Sequence, residues 1–423
     1  MFYNTVKYEK GVDTVDVLHC DLNNFYASVE QVVSPELQQY KYLAVSGNPE
    51  TRSGIILAKN TAAKLMGVKT GEPIWQARQK CPDLKCVLPH FEYYVHYSKR
   101  VREIYERFTD KVEGFGLDEC WLDVTHSKIF GTPDEIAEKL RKTVKRETGL
   151  TISVGVSFTK TFAKLGSDLK KPDAVTVISR ENYKDIVWKL PVSEMLYIGK
   201  HTEEKLHSMG IFTLGDLANG SLFALKKRFG VVGEKLYRAA RGEDEEEVRE
   251  CGMEREIKSV GHGTTTLRDV NTYAEAEKVI FFLSDMVATR LRRYGLQGEV
   301  VGLDIRRNDL SHESKQHRVR ATHVVDDVYK MACKLLRQMW KQAPADLPLR
   351  SLSVRVADLS EVGYGYQSSL FDVADEKDRN LEYSVDRIRK KFGYKAITRA
   401  SLLSNDLVSD KLFAEEDLLP FKR

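Results

Sequence analysis

Three carboxylates stand out by type and by neighbourhood: Asp21, which follows an apolar run, and the adjacent pair Asp118 and Glu119 inside GLDECWLD. Carboxylate oxygens are hard ligands, and a cluster of them suits magnesium, which keeps some of its waters and also binds a substrate phosphate. Two such ions side by side could activate a sugar hydroxyl and neutralise the charge that builds on a transferring phosphoryl group. Acidic residues at strand ends are more often solvated turn residues, so the pattern alone leaves both readings open. Asn23 offers only an amide and is left out of the cluster, and Asp123 reads as a brace for the turn before Ser127.

The cluster forms only if neighbouring strands bring its members together. Alternation predicts a strand over 14–20, followed by a turn and helix over 22–30, which sets Asp21 at a strand end. Residues 111–125, KVEGFGLDECWLDVT, alternate as a strand or hairpin. A helix over 134–148 runs into Gly149, a strand follows over 151–157, and a basic helix continues through Leu169 and stops before Pro172. A short strand at 55–57, a short helix at 60–66 closed by Gly67, and a helix over 95–108 fill the space between.

The remainder changes character twice. Residues 191–242 read as short helical pieces separated by glycines, with no strand. After the acidic run 243–247, strands at 257–267, 300–305, 318–323 and 351–356 and helices at 273–294 and 325–340 predict a separate small α/β domain. The tail is polar from Gly363 until an amphipathic stretch at 381–391. A chain of 423 residues, 42% hydrophobic and 30% charged, is long enough for two to four units. No apolar run approaches the roughly 18 residues that span a bilayer, and the start lacks the basic flank and apolar run of a signal peptide; a cytosolic protein is expected. The scattered cysteines form no CxxC pair, so neither zinc nor disulfides are expected. A net charge of +4 is by itself weak evidence for a polyanionic partner.

Three ordered motifs, DLNNFYASVE at 21–30, GLDECWLD at 116–123 and VGVSFTKTFAKLGSDLKKP at 154–172, resemble those of the translesion, or Y, family of DNA polymerases, in particular bacterial lesion-bypass members of Gram-positive bacteria or their mobile elements. The resemblance implies an α+β multidomain, right-handed polymerase: palm at 1–50 and 91–190, fingers at 51–90, a helical thumb with a helix-hairpin-helix at 191–243, an α/β little-finger domain at 250–360 and a tail at 361–423. It implies that Asp21, Asp118 and Glu119, with the carbonyl of Leu22, hold two magnesium ions, for which manganese can substitute. Tyr26 would be the steric gate that refuses a 2′-hydroxyl. Asn24, Phe25 and Tyr26 through their amides, with Asn60, Lys64 and Lys171, would bind the incoming deoxynucleoside triphosphate. Lys64 replaces an arginine of many relatives and keeps the charge without the fork, and Asn60 could equally be a helix cap.

Primer-template DNA is the implied macromolecular partner. Gly199, in IGKHTEEKLHSMGIFTLGDL, would let thumb amides approach the phosphate backbone. Lys258, Arg306, Arg307, Arg318 and Arg320 in the last α/β domain would give a salt-sensitive, sequence-independent grip. Gln367, Leu370 and Phe371 in QSSLF resemble a peptide that docks on the sliding clamp. A monomer without membrane attachment is expected. The competing readings are another two-metal enzyme, such as a nucleotide cyclase or an RNA polymerase, and a noncatalytic or accessory-dependent DNA-binding relative; Tyr26 speaks against the first and the intact acidic residues against the second.

Overall fold

The structure is a computed structural model that describes residues 15–48, 52, 54–244, 246–253, 256–341, 348–362, 373–400 and 406–408. These fall into two compact units, one drawn from Met1–Gly47 and Ile55–Met253, the other from Asn48–Gly54 and Glu254–Leu419. The QSSLF segment lies outside the described residues.

Along the first unit the strands are β1 (Val17–Leu22), β2 (Leu43–Ser46), β3 (Ile56–Lys59), β4 (Lys85–Val87), β5 (Val112–Phe115), β6 (Glu119–Asp123), β7 (Ile152–Ser157) and β8 (Val175–Ile178). They build a five-stranded sheet in the order β5-β6-β1-β7-β8 and a three-stranded sheet in the order β3-β2-β4. Every residue of β1 and β7 is buried. Alternation sends Leu18, Cys20 and Leu22 into a core shared with helices Phe91–Tyr105 and Pro133–Thr148, and puts Val17, His19 and Asp21 on the face that meets helix Lys160–Leu169. That helix can lie close because Gly155, paired with His19, has no side chain. A Cβ at that position would stand 1.9 Å from the Ala163 carbonyl oxygen and 2.5 Å from the Ser167 nitrogen.

The strand predicted over 14–20 instead runs Val17–Leu22, so Asp21 is within the sheet, opposite Glu119, rather than beyond the strand end. Partners on both sides account for the shift: β6 and β7 both pair with β1, and the Leu22 amide still donates to the Asp118 carbonyl at 2.9 Å. The hairpin expected within 111–125 is present as β5 and β6. The helical segment comprises Lys200–His207, Leu214–Asn219, Leu222–Phe229 and Val231–Ala240, closed over Leu206, Leu214, Leu217, Leu225 and Leu236.

The second unit is an antiparallel sheet of β9 (Ser259–Val270), β10 (Leu296–Arg307), β11 (His312–Thr322) and β12 (Leu349–Glu361), in the order β11-β10-β12-β9. Its core joins the inner face of the sheet to helices Tyr273–Arg293 and Val325–Lys341. The strands extend beyond the apolar stretches read from sequence because their polar flanks satisfy ladder hydrogen bonds as well as apolar residues do. The amphipathic tail segment belongs to helix Val373–Phe392, which is tied to the Tyr273–Arg293 helix by ion pairs. Arg389 reaches both Asp285 oxygens at 3.0 and 2.9 Å, and Arg292 reaches Asp386 at 2.9 Å. Among the described residues no helix is long and apolar enough to cross a membrane.

The close approach at Gly155 gives a direct test. Gly155→Ala is expected to lower the stability of the protein by about 1–3 kcal/mol, the usual cost of overpacking, read as a fall in the urea midpoint.

Candidate active site

The site is assembled at one end of the five-stranded sheet. Asp21 and Glu119 face each other across β1 and β6, and Asp118 occupies the turn that feeds β6, tied to β1 through its carbonyl. Helix Lys160–Leu169 brings in the counter-charges. Lys164 Nζ lies 3.3 Å from Asp21 Oδ2, 3.1 Å from Glu119 Oε2 and 3.1 Å from Asp168 Oδ2. Lys171 Nζ stands 2.7 Å from Asp21 Oδ2 and 2.9 Å from Asp168 Oδ1. Below them His19, fully buried, lies 3.3 Å from Glu119 Oε2 through Nε2. Asn23 braces the strand exit, donating to Ser153 Oγ at 2.9 Å and accepting from the Asp173 amide at 2.8 Å. Asp123 accepts from the Thr125 amide at 3.0 Å and pairs with Lys111 at 3.2 Å.

The electrostatics are those of crowded acids. Burial, then Glu119 and Asp21, push Asp118 up to about 6. Glu119 is driven the other way: burial raises it, but His19 and Lys164 outweigh that and hold it well below the usual carboxylate range. Burial also draws Lys164 down, yet Glu119, Asp21 and Asp168 keep it above the ordinary lysine value. Among the described residues no three His, Cys, Asp or Glu side chains converge as a ready-made metal cage, since the two lysine ammonium groups stand among the acids. The donor set still fits a hard divalent cation: oxygen ligands only, with a repulsion at Asp118 that added positive charge would relieve.

Tyr26 is half-buried on helix Phe25–Val33, its ring stacked on that of Tyr94 at 4.2 Å and 10°. Phe25 is buried in the core. Asn24, in a left-handed backbone conformation, precedes the helix and donates to Thr61 Oγ1 at 2.9 Å. Asn60 is occupied structurally: it accepts from the amides of Ala63 at 3.0 Å and Leu43 at 3.3 Å and donates to the Lys41 carbonyl at 3.0 Å. These contacts make Asn60 the cap of the short helix that follows it. Lys64 is exposed.

On the second unit Arg306, Arg318 and Arg320 are exposed on the sheet and Lys258 is exposed just before β9. Arg318 is paired with Glu299 and Asp358. Arg307 corrects the sequence expectation. Strand alternation turns it away from Arg306, it is 8% exposed, and it lies 3.8 Å from Glu313, so it is not part of the exposed basic face. Gly199 precedes helix Lys200–His207 with open space where a Cβ would stand.

Residues 20–168 match the impB/mucB/samB family and 257–370 its C-terminal domain. Residues 197–244 match the thumb domain of DNA polymerase-iota, and 180–211 the IMS family HHH motif. A DNA polymerase IV of Acetivibrio thermocellus is 44% identical, the match covering 92% of this chain and 98% of the relative. The chain belongs to the Y family of DNA polymerases. This Y-family chain is also 37% identical to a DNA polymerase IV of Pelotomaculum thermopropionicum, over 92% of itself and 95% of that relative. DNA polymerase IV 2 of Bacillus subtilis is 34% identical, over 91% and 93%. A solved Y-family DNA polymerase chimera of Dbh and Dpo4 superposes with a TM-score of 0.70 at 26% identity, covering 81% of this chain and 98% of that one.

Sequence reading of this Y-family chain passed over His19, Lys164, Ser167 and Asp168. A signal was present: 164, 167 and 168 follow the spacing of one helix face, the face that meets His19, Asp21 and Glu119.

The crowding predicts a trade of stability for charge. With its folded pKa raised to about 6 from 3.8, Asp118 binds more protons in the native than in the unfolded state between those values. Its penalty is therefore absent below pH about 4, grows as pH rises through 6 and is complete above. In EDTA at pH 7.5, Asp118→Asn is expected to stabilise the protein by on the order of 1–2 kcal/mol, solvent screening allowed for, with the gain vanishing near pH 4. Urea titrations at the two pH values measure it.

Proposed function

We propose that this DNA-directed DNA polymerase of the translesion type extends a primer by two-metal nucleotidyl transfer at the acidic end of the five-stranded sheet. The observation that carries the reading is the gathering of Asp21, Asp118 and Glu119 at that end, facing Lys164 and Lys171. Asp21, Asp118, Glu119 and the Leu22 carbonyl would hold two magnesium ions, with manganese as a substitute. When bound, such ions lower the pKa of the attacking sugar hydroxyl and neutralise charge on the transferring phosphate.

The protein's own groups account for the rest. Lys171 and the exposed Lys64 supply charge for the triphosphate, and the amides of Asn24, Phe25 and Tyr26 lie at a helix start, where an anion is favoured. Tyr26, its ring supported by Tyr94, would refuse a 2′-hydroxyl by shape. Gly199 of the thumb and Lys258, Arg306, Arg318 and Arg320 of the little finger meet primer-template phosphates. The segment with Gln367, Leu370 and Phe371 docks on the sliding clamp, and the enzyme works as a cytosolic monomer.

Primer extension with magnesium and four deoxynucleotides tests the centre. Asp118→Asn and Glu119→Gln, both folded, are expected to lose more than the roughly 10–100-fold that disturbing an outer partner costs; near-normal extension by either would remove the assignment. For the gate, Tyr26→Ala is expected to raise the ratio of ribonucleotide to deoxyribonucleotide insertion at least about tenfold, the scale of a lost steric contact. An unchanged ratio would take the role from Tyr26.

A further inference from the structure

His19 is a fully buried polar side chain beneath the acidic site, and the mechanism above does not use it. It sits two residues before Asp21 on the same face of β1, cross-strand from Trp121 and diagonal to Glu119. It is 0% exposed, and its ring meets Trp121 edge-on at 5.0 Å. Nδ1 is 2.8 Å from Ser167 Oγ. Nε2 is 3.3 Å from Glu119 Oε2, and these two atoms, both buried, have no well-aligned hydrogen-bond partner in the described residues.

Packing alone explains this arrangement poorly. Burying an imidazole nitrogen without a partner costs free energy that an apolar side chain of similar shape would avoid. Its neighbours on the other face of β1, Leu18 and Cys20, belong to the core, so an apolar residue would have been the simpler filling. What an imidazole adds is a donor on the side of Glu119. The Ser167 hydroxyl has one proton and two acceptors within reach, the Lys164 carbonyl at 2.8 Å and His19 Nδ1 at 2.8 Å. When it serves Nδ1, the neutral ring carries its proton on Nε2, towards Glu119. Lys164 balances charge at the same oxygen from 3.1 Å, but its flexible ammonium also serves Asp21 and Asp168, whereas the ring is fixed by Trp121, Ser167 and the sheet.

We propose that His19 is a positioning residue for the reaction: held by Ser167, it presents an Nε2–H to Glu119 from 3.3 Å and restricts the orientation in which that carboxylate receives its divalent cation. Outer partners of this kind set ligand orientation and commonly affect metal affinity by about 10–100-fold. The inference rests on Glu119 being a metal ligand, and the test separates the two.

Manganese binding to the full-length protein, with a dideoxy-terminated primer-template and a deoxynucleoside triphosphate, is followed by electron paramagnetic resonance for the wild type, His19→Phe and Glu119→Gln. His19→Phe keeps a ring against Trp121, and we expect it to weaken manganese binding about tenfold while raising the manganese concentration for half-maximal extension in parallel. Wild-type affinity in His19→Phe, alongside a loss in Glu119→Gln, overturns the positioning role and leaves the ligand role standing. Wild-type affinity in Glu119→Gln overturns the ligand reading and the inference with it. Should His19→Phe fail to fold, ¹⁵N NMR of the wild-type imidazole decides: the Nε2–H tautomer, lost in Ser167→Ala, is the expected result, and an Nδ1–H tautomer in the wild type overturns the proposal.

Discussion

The constraint on which the first unit depends is the burial of like charges at the end of a sheet. Asp21 and Glu119 sit opposite each other on paired strands, the arrangement that cross-strand rules disfavour. It persists because Lys164 spans both, at 3.3 and 3.1 Å, with Lys171 a second counter-charge on Asp21 at 2.7 Å. Lys164 reaches the acids because its helix lies against the sheet, with Lys171 just beyond the helix end, and the helix lies close because Gly155 leaves the space its Cβ would fill. A backbone requirement beside the site, at the residue paired with His19, thus sets its electrostatics. Asp118, where burial, Glu119 and Asp21 outweigh the pull of Lys164, is pushed up to about 6. An active site that binds cations is expected to hold such uncompensated charge when they are absent.

A second buried ionic system has a different use. On the β5 and β6 side of the same sheet, Lys160 is buried against Glu113 at 2.7 Å and lies over the Trp121 ring at 4.8 Å, while Glu113 also accepts from the Arg249 amide at 3.2 Å. The chain leaving the helical segment is therefore fastened back onto the palm, with Val248 packed against Val17, Trp121 and Ala163. In the little finger, Arg292 and Arg389 secure the C-terminal helix in the same manner. Such pairs contribute less to net stability than their geometry suggests, since desolvation offsets attraction, but losing one partner strands a buried charge. Their effect here is to specify which segment lies where.

The order and type of most elements were legible because apolar periodicity and glycine punctuation are local signals: the β5–β6 hairpin, the helix ending at Gly149 and the alternating strands and helices of the second unit all announced themselves. Boundaries were less so. The Phe91–Tyr105 helix starts four residues before the predicted 95, because its first turn packs Phe91 and Tyr94 against Tyr26, contacts that no local pattern encodes. Arg306 and Arg307 show the same limit at a finer scale. Their adjacency reads as one basic patch, while the pleat gives one to solvent and the other to Glu313.

The sequence by itself determined the chemistry available: which carboxylates could bind a cation, which aromatic could guard a sugar, and, through three ordered motifs, the family. Those properties depend on residue identity and short spacing, which a linear chain records. Only the tertiary structure decided which groups meet. That Asp21 lies within a strand opposite Glu119, that Lys164 and His19 converge on one carboxylate oxygen and that Arg307 faces inward all follow from strand register and from the distance at which a helix can lie on a sheet. Register and helix-to-sheet distance arise from contacts such as Asp21 with Glu119 and Lys164 with Asp21, which join segments far apart in the chain, and local patterns do not encode them.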